Sequence, residues 1–487
     1  MASKTIPFVY LLMILMAKTD VDAVIGVNWG RESAQRLVPS QVVDLLLQNG
    51  VKEARVYTTM VDLLKAFVGS GIGLSLTAGD LNVLQDYNQC LKWVQSRMPY
   101  FNDSSVRRVY VGLYPFMIGL SNNKAVLKQS MKVMYNLQKA LNDADWGHQV
   151  KAIFSHASTE LKPNITKPSD AEFIDEIKPE MEETIRFLEL NNAPFVVDMI
   201  PPIEMETYKF DPSFAFVGES TQVIKDVNGA IYTNIFEFMH DAYVWALIKL
   251  KAPKLKIIVG QIGWPSDGYA RGNASTVERF FKGLLPYVSS NKGTPLRPGA
   301  PIDTFVHSLT DENKTPNNFM RHFGIYRSNG KPKFKIDLMG LGRDIYPSSA
   351  KGIMRMPERW CVFNGNRTDY PMVENQLKYA CKNSDCSSAS PGSTCGDLSF
   401  NQMVSFAFNM YFQFQFQDES ACHFNGLSYI TVDNPSTPKC MFPIEVVRGQ
   451  QENYYYQPVP KAKGNHQSPN CVVSLFLLSL LGALFWN

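Results

Sequence analysis

The sequence predicts an α/β protein: a (β/α)8 barrel over residues 24–345, followed by a small, disulfide-rich, mainly helical module over 359–445. Three observations carry this. Short β-branched runs alternate with amphipathic stretches through the first part, six cysteines crowd between Cys361 and Cys440, and no glycine-rich phosphate loop follows the first strand. With 487 residues, the chain has room for one large domain and a satellite, since domains usually run to roughly 100–200 residues.

The strand candidates, in order, are Val24–Asn28, Glu53–Tyr57, Ile72–Leu76, Arg107–Gly112, Val150–Ser155, Pro194–Met199, Lys256–Gln261 and Ile302–His307. Each is short and largely β-branched or aromatic. Helix-period patterns lie between them at Ser40–Gln48, Leu63–Val68, Lys124–Leu141, Asp170–Leu190, Asn234–Leu250 and Thr276–Leu285. Ser40 and Asp170 are the N-cap candidates, since their side chains can accept a hydrogen bond from a first-turn amide. Eight such alternations close a TIM barrel. An open doubly wound sheet shows the same alternation, but Gly26-Val27-Asn28-Trp29-Gly30 lacks the third glycine of a dinucleotide-binding turn.

In such a barrel the chemistry sits at the C-terminal strand ends. Those ends carry Asn28, Trp29, Tyr57, Tyr114, Asp198, Gln261, Trp264 and Glu312. Aromatic rings stack on the C–H faces of sugars while amides bind hydroxyls. The same aromatics serve equally well to close the barrel top.

Composition narrows the function class. Lys plus Arg number 48 against 45 Asp plus Glu, a formal charge of +3, which argues against a nucleic-acid-binding surface with its clustered basic residues and high pI. Aromatic content of 12% with only 19% charged residues excludes disorder for most of the chain. The six clustered cysteines read as a disulfide framework with its pairing open. Zinc is the competing reading, but the cluster has no Cys-x-x-Cys pair and only one histidine, His423. No metal or cofactor is expected.

Residues 1–23 read as a secretory signal, with Lys4, an apolar run from Ile6 to Ala17 and small residues at Val21-Asp22-Ala23. Val472 to Trp486 is apolar and uncharged, short for a bilayer span, and lacks a basic flank. It reads as the removed tail (471–487) of a glycosylphosphatidylinositol (GPI) signal, with Gly464, Asn465 and Ser468 as candidate attachment residues. A tail-anchor helix is the alternative. Loss of the tail removes Cys471 and leaves Cys90 as the odd thiol, expected to be buried. Sequons at Asn102, Asn164, Asn273, Asn313 and Asn366 are expected glycosylation sites.

Ile25-Gly26-Val27-Asn28-Trp29-Gly30, Gly263-Trp264-Pro265-Ser266-Asp267-Gly268, Gly293-Thr294-Pro295-Leu296-Arg297-Pro298-Gly299, Asp311-Glu312-Asn313 and Arg321-His322-Phe323-Gly324 together resemble the successive motifs of plant glycoside hydrolase family 17, the endo-β-1,3-glucanases. The resemblance implies a retaining mechanism, with an acid/base Glu after strand four and a nucleophile Glu at the end of strand seven. The residues standing there are Tyr114, in Val111-Gly112-Leu113-Tyr114, and Gln261, before Ile262-Gly263-Trp264-Pro265. Three further departures are Met320 for a Glu, Thr58 for an Asp and Ile200 for an aromatic, whereas Glu312 is retained. Asn28, Trp29, Tyr57, Trp264 and Glu312 are the expected sugar contacts in the barrel. If another carboxylate has taken over the chemistry, Glu219, Glu237, Asp198 and Glu312 are the candidates. A glycan at Asn313 would stand at the cleft rim.

Arg359-Trp360-Cys361-Val362, Tyr379-Ala380-Cys381, Cys386, Cys395, Ser405 to Gln413, Ala421-Cys422-His423-Phe424 and Cys440-Met441-Phe442-Pro443 resemble the family 43 carbohydrate-binding module, or X8 domain. That resemblance implies β-1,3-glucan binding and the pairs Cys361–Cys422, Cys381–Cys386 and Cys395–Cys440. Tyr411 is the expected sugar contact, with Phe412 and Phe414 beside it; at this spacing Tyr411 and Phe414 equally suit the buried stripe of a helix. Residues 346–358 read as a linker and 446–470 as a polar spacer. The expectation is a monomeric, GPI-anchored β-1,3-glucan-binding protein on the outer face of the plasma membrane or in the cell wall, with hydrolysis lost or much reduced. An active endo-β-1,3-glucanase and an adhesion scaffold are the alternatives.

Overall fold

The structure is a computed structural model and describes residues 22–101, 106–121 and 123–446. Residues 1–21 of the signal sequence, Asn102, residues 447–470 of the spacer, Cys471 and the candidate attachment residues Gly464, Asn465 and Ser468 lie outside the described residues.

The barrel strands are β1 (Ile25–Trp29), β2 (Glu53–Val56), β3 (Gly73–Ala78), β4 (Val106–Val111), β5 (Lys151–Ile153), β6 (Ser155–Ala157), β7 (Phe195–Met199), β10 (Ile257–Ile262) and β11 (Thr304–Val306), with a small β8–β9 hairpin (Ile224–Lys225, Ile231–Tyr232) outside the ring. The sheet runs β5-β4-β3-β2-β1-β11-β10-β7-β6. Its two ends, β5 and β6, are halves of one strand interrupted at Phe154, so the ring closes through that strand. Every ladder is parallel, with Val27 opposite both Ala54 and Val306. Strands walled by helices outside and side chains inside are buried on both faces, which is why β1, β3, β7 and β10 are buried at every position.

The helices depart from expectation at their starts. Pro39 opens the first one, Pro39–Gln48, and its N-cap is Val38, so Ser40 falls inside the helix. Proline supplies the first helical φ and has no amide to satisfy, so it fixes the boundary. Asp170 caps no long helix; it accepts the amides of Thr166 and Lys167 around a 3-10 turn, and the helix proper is Lys178–Leu190. Tyr87–Phe101 is a further helix that carries Pro99 inside its last turn, and Pro115–Leu120 and Pro201–Thr207 each open on a proline as the first helix does. Cys90 is fully buried, its thiol donates to the Leu84 carbonyl at 2.9 Å, and burial pushes its pKa to about 11.

The C-terminal module pairs β12 (Trp360–Phe363) with antiparallel β13 (Ser428–Thr431) and packs them on helices Tyr370–Lys382 and Phe400–Phe414. Its disulfides are Cys361–Cys422, Cys381–Cys386 and Cys395–Cys440, the pairs that the resemblance implied. With every clustered cysteine bonded, the thiolates a zinc site needs are gone. The connecting segment lies along the barrel: Tyr326 donates to the Ser348 carbonyl at 2.9 Å and Ala350 to that of Gly330 at 2.9 Å. Arg355 then bridges Val446, and Met356 donates to the Glu445 carbonyl.

The module docks on the loops that follow β10 and β11. Arg321 pairs with Asp385 at 3.0 Å, His322 meets Ser387 at 2.8 Å, and Asp267 accepts both the amide and the hydroxyl of Thr394. Ala34, from the loop after β1, joins the module's apolar cluster of Trp360, Phe406 and Phe442. Among the described residues no helix is long and apolar enough to cross a membrane.

Candidate functional site

The mouth of the barrel is organised by an arginine. Arg55 lies on β2 between apolar Ala54 and Val56, points into the barrel and is 0% exposed. A buried guanidinium must be paired. Nη1 meets both Asp198 oxygens on β7, at 2.8 and 2.9 Å, and the Gly260 carbonyl at 3.0 Å, while Nη2 donates to Ser155 Oγ at 2.6 Å. Its plane lies 4.0 Å from the Tyr110 ring centroid and 5.1 Å from that of Tyr57. Burial, the largest single influence, disfavours the charge, but Asp198 together with the oxygens of Tyr57, Tyr110 and Tyr114 outweighs it and holds Arg55 well above the usual arginine range.

Tyr114 and Gln261 join this network. Gly112 and Tyr114 both take left-handed conformations, at φ +68° and +47°, which turns the chain sharply off β4 and swings the phenol over the barrel axis. The Tyr114 hydroxyl donates to Asp198 Oδ2 at 2.8 Å and lies 3.4 Å from Gln261 Oε1, which also accepts from Tyr57 at 3.1 Å. Burial, then the charge of Asp198, pushes the Tyr114 phenol well above its ordinary range. It therefore stays protonated and acts as a hydrogen-bond donor. Gln261 is 3% exposed and uncharged. Asn28 donates to the Gly260 carbonyl at 3.0 Å, and its Oδ1 has no partner.

Glu312 approaches from the loop after β11. It fits only because residue 30 is glycine: a Cβ there would lie 1.5 Å from Glu312 Oε1. Burial, with the nearby charge of Glu32, raises its pKa to about 8, and Oε1 has no partner. The carboxyl is thus largely neutral at pH 7. His307 is pushed the other way, to about 3, by burial and by Arg55.

Two expected sugar contacts are core residues. Trp29 is 2% exposed and belongs to the apolar core. Trp264 is 5% exposed, its ring stacked on Phe216 and its indole N–H donating to the Arg271 carbonyl at 3.2 Å. Rings with both faces covered cannot offer one to a sugar, so these tryptophans build the wall behind the site. Tyr57, Tyr114 and Glu312 are the half-buried groups at the mouth, where Thr58, Ile200 and Met320 are half-buried too. Of the other carboxylates, Glu219 is held by Arg279 at 2.6 Å, and Glu237 is pushed up by burial while bonding Tyr287 and Asn234. In the module, Phe412 and Phe414 are buried. Tyr411 is half-buried, with its hydroxyl 3.1 Å from that of Tyr379, beside an open cavity of about 340 Å³ also lined by Gln415 and His423. Asn164, Asn273 and Asn366 are exposed. Asn313 is half-buried, and its Oδ1 accepts the Ala34 amide at 2.9 Å.

Arg55 and Ser155 were not singled out from the sequence. The available signal was a charged residue inside a short barrel strand, which demands an opposite charge on another strand.

A family model described as glycosyl hydrolases family 17 matches residues 25–338, and one described as X8 domain matches 359–429. Glucan endo-1,3-beta-glucosidase 8 of Arabidopsis thaliana is 35% identical over 88% of this chain and 91% of its own. Glucan endo-1,3-beta-glucosidase 5 of the same plant is 34% identical over 90% and 91%. Among solved structures, a beta-1,3-glucanase and allergen of Cryptomeria japonica pollen superposes with a TM-score of 0.61 at 26% identity, covering 65% of this chain and 99% of its own.

Proposed function

The chain belongs to glycosyl hydrolases family 17, with an X8 domain behind its barrel, and from that premise we propose that it binds β-1,3-glucan at the cell surface without hydrolysing it efficiently. The observation that carries this reading is the bonded group Arg55–Asp198–Tyr114–Gln261 across the mouth. Retaining hydrolysis needs two carboxyl groups about 5–5.5 Å apart, one protonating the leaving oxygen and one attacking the anomeric carbon. Gln261 has no charge with which to attack, and Tyr114 is held protonated. Asp198 is spent on Arg55 and on the Tyr114 hydroxyl. Loss of general acid–base assistance alone costs about 10²–10⁴ in rate, before the missing nucleophile is counted.

The outward-facing groups of the module and the half-buried Tyr57 and Glu312 support retained sugar contact. The three disulfides support an oxidising compartment. A GPI anchor on the outer face of the plasma membrane and a monomeric state complete the proposal. The second reading, a residual endo-β-1,3-glucanase, is favoured by Glu312, a neutral carboxyl with an unpartnered oxygen at the mouth.

The test is reducing-end release from linear β-1,3-glucan by the wild type and by the Tyr114→Glu/Gln261→Glu variant, beside retardation on a glucan affinity gel. The expected outcome is retardation of both, no turnover by the wild type and turnover gained in the variant. Wild-type turnover abolished by Glu312→Gln would establish the second reading instead.

A further inference from the structure

We propose that the opposite, N-terminal face of the barrel is a second binding site, for an acidic polysaccharide whose sugars carry carboxylates. An open cavity of about 740 Å³ lies there, across the starting ends of β4, β5, β7 and β10. Arg107 and Arg108 come from the start of β4, Lys151 opens β5, and Lys254 and Lys256 lead into β10. These four strand ends are neighbours in the ring, because the split fifth strand joins β4 to β7. The whole chain carries only +3, yet five of its cations line this one concavity.

Their neutralisation is incomplete. Glu53 is shared by Arg107 and Arg108, at 3.1 Å from each, so one carboxylate serves two guanidiniums. Asp303 holds Lys256 at 2.6 Å. Lys151 donates only to the Gly147 carbonyl, at 2.6 Å, and Lys254 has no carboxylate partner among the described residues. Glu189 is the remaining acid in the lining. Five cations thus face three carboxylates, and a concave wall focuses the excess potential into the cavity.

The shape selects the ligand. Neighbouring strands are about 4.8 Å apart, so the cations are spread one after another along the mouth, as a hydrated chain bearing one carboxylate per sugar requires. Pro194, half-buried in the lining, supplies apolar surface for a sugar C–H face. The cavity lies at the other end of the strands from Tyr114 and Gln261, so the inference does not depend on the reading of the glucan site.

The test uses the full chain on polygalacturonate, on its fully methyl-esterified form, and on vesicles of phosphatidylserine in phosphatidylcholine. The expected result is salt-sensitive retention on polygalacturonate alone. Arg107→Gln/Lys254→Glu should weaken it at least tenfold while retardation on β-1,3-glucan is unchanged; the single Lys254→Gln variant, at an exposed and unpaired position, gives a smaller loss in the same direction and covers any folding defect of the double variant. Equal binding to the methyl ester, preference for the vesicles, or unaltered polygalacturonate binding by folded variants would each overturn the proposal.

Discussion

Asp198 holds together more of the barrel mouth than any residue the sequence motifs single out. Its carboxylate neutralises Arg55 and accepts from Tyr114. Asp198→Ala therefore leaves a fully buried guanidinium unpaired and is expected to cost about 3–5 kcal/mol, read from the denaturant midpoint. Tyr114→Phe removes only a hydrogen bond to a charged group, about 1.5–3 kcal/mol. An Asp198→Ala variant no less stable than Tyr114→Phe would mean that Arg55 finds another counter-charge. The motifs place Tyr114, Gln261, Tyr57 and Glu312 at the mouth because each follows a strand end, and position along the strand is legible. Which way a ring faces is not. Trp29 and Trp264 sit at the same kind of position, yet their packing partners, such as Phe216 for Trp264, come from distant loops that local pattern does not register. The ion pair escapes for a similar reason, since 143 residues separate Arg55 from Asp198.

At the scale of elements, the barrel strands are the most legible feature, because burial on both faces leaves near-continuous apolar runs. The helix starts are less so, as prolines override the Ser and Asp signals at Pro39 and Pro179. The docking of the module on the β10 and β11 loops is not visible in sequence at all, because it is made by polar side chains of ordinary surface composition. It has a titrating centre in His322, whose ring lies 3.7 Å from Asp311 on the barrel and 3.5 Å from Asp385 on the module. Lys333 pairs with Asp311 and Arg321 with Asp385. Burial works to lower the His322 pKa, but Asp385 and Asp311 outweigh it and hold it above the usual value. A raised histidine contributes its stability fully below the unfolded value near 6.5, and loses it as pH rises through the folded value. Docking is therefore expected to weaken as pH rises above about 6.5, seen as faster proteolysis of the 346–358 segment. His322→Gln should flatten that pH dependence; a wild-type rate that is already flat counts against the assignment.

The whole molecule has two unlike sources of stability. The barrel has a large apolar core and one buried thiol, whereas the module relies on small clusters and three disulfides. Two of those bridges close long loops, spanning 61 and 45 residues, and each is expected to be worth about 2–5 kcal/mol. Under reductant, calorimetry should show the module's transition lost or sharply lowered while the barrel's persists. A joint shift of both would mean that docking, rather than the bridges, sets the module's stability.

The chain enters and leaves the module side by side, since Arg355 bridges Val446 and Met356 donates to the Glu445 carbonyl. The ninety or so residues between these points form a closed excursion from the barrel. Tension applied through the C-terminal segment then falls first on this clasp and passes to the barrel wall along the strapped segment. The load path bypasses the module's fold, so a tethered molecule could be pulled without unravelling its sugar-binding lobe.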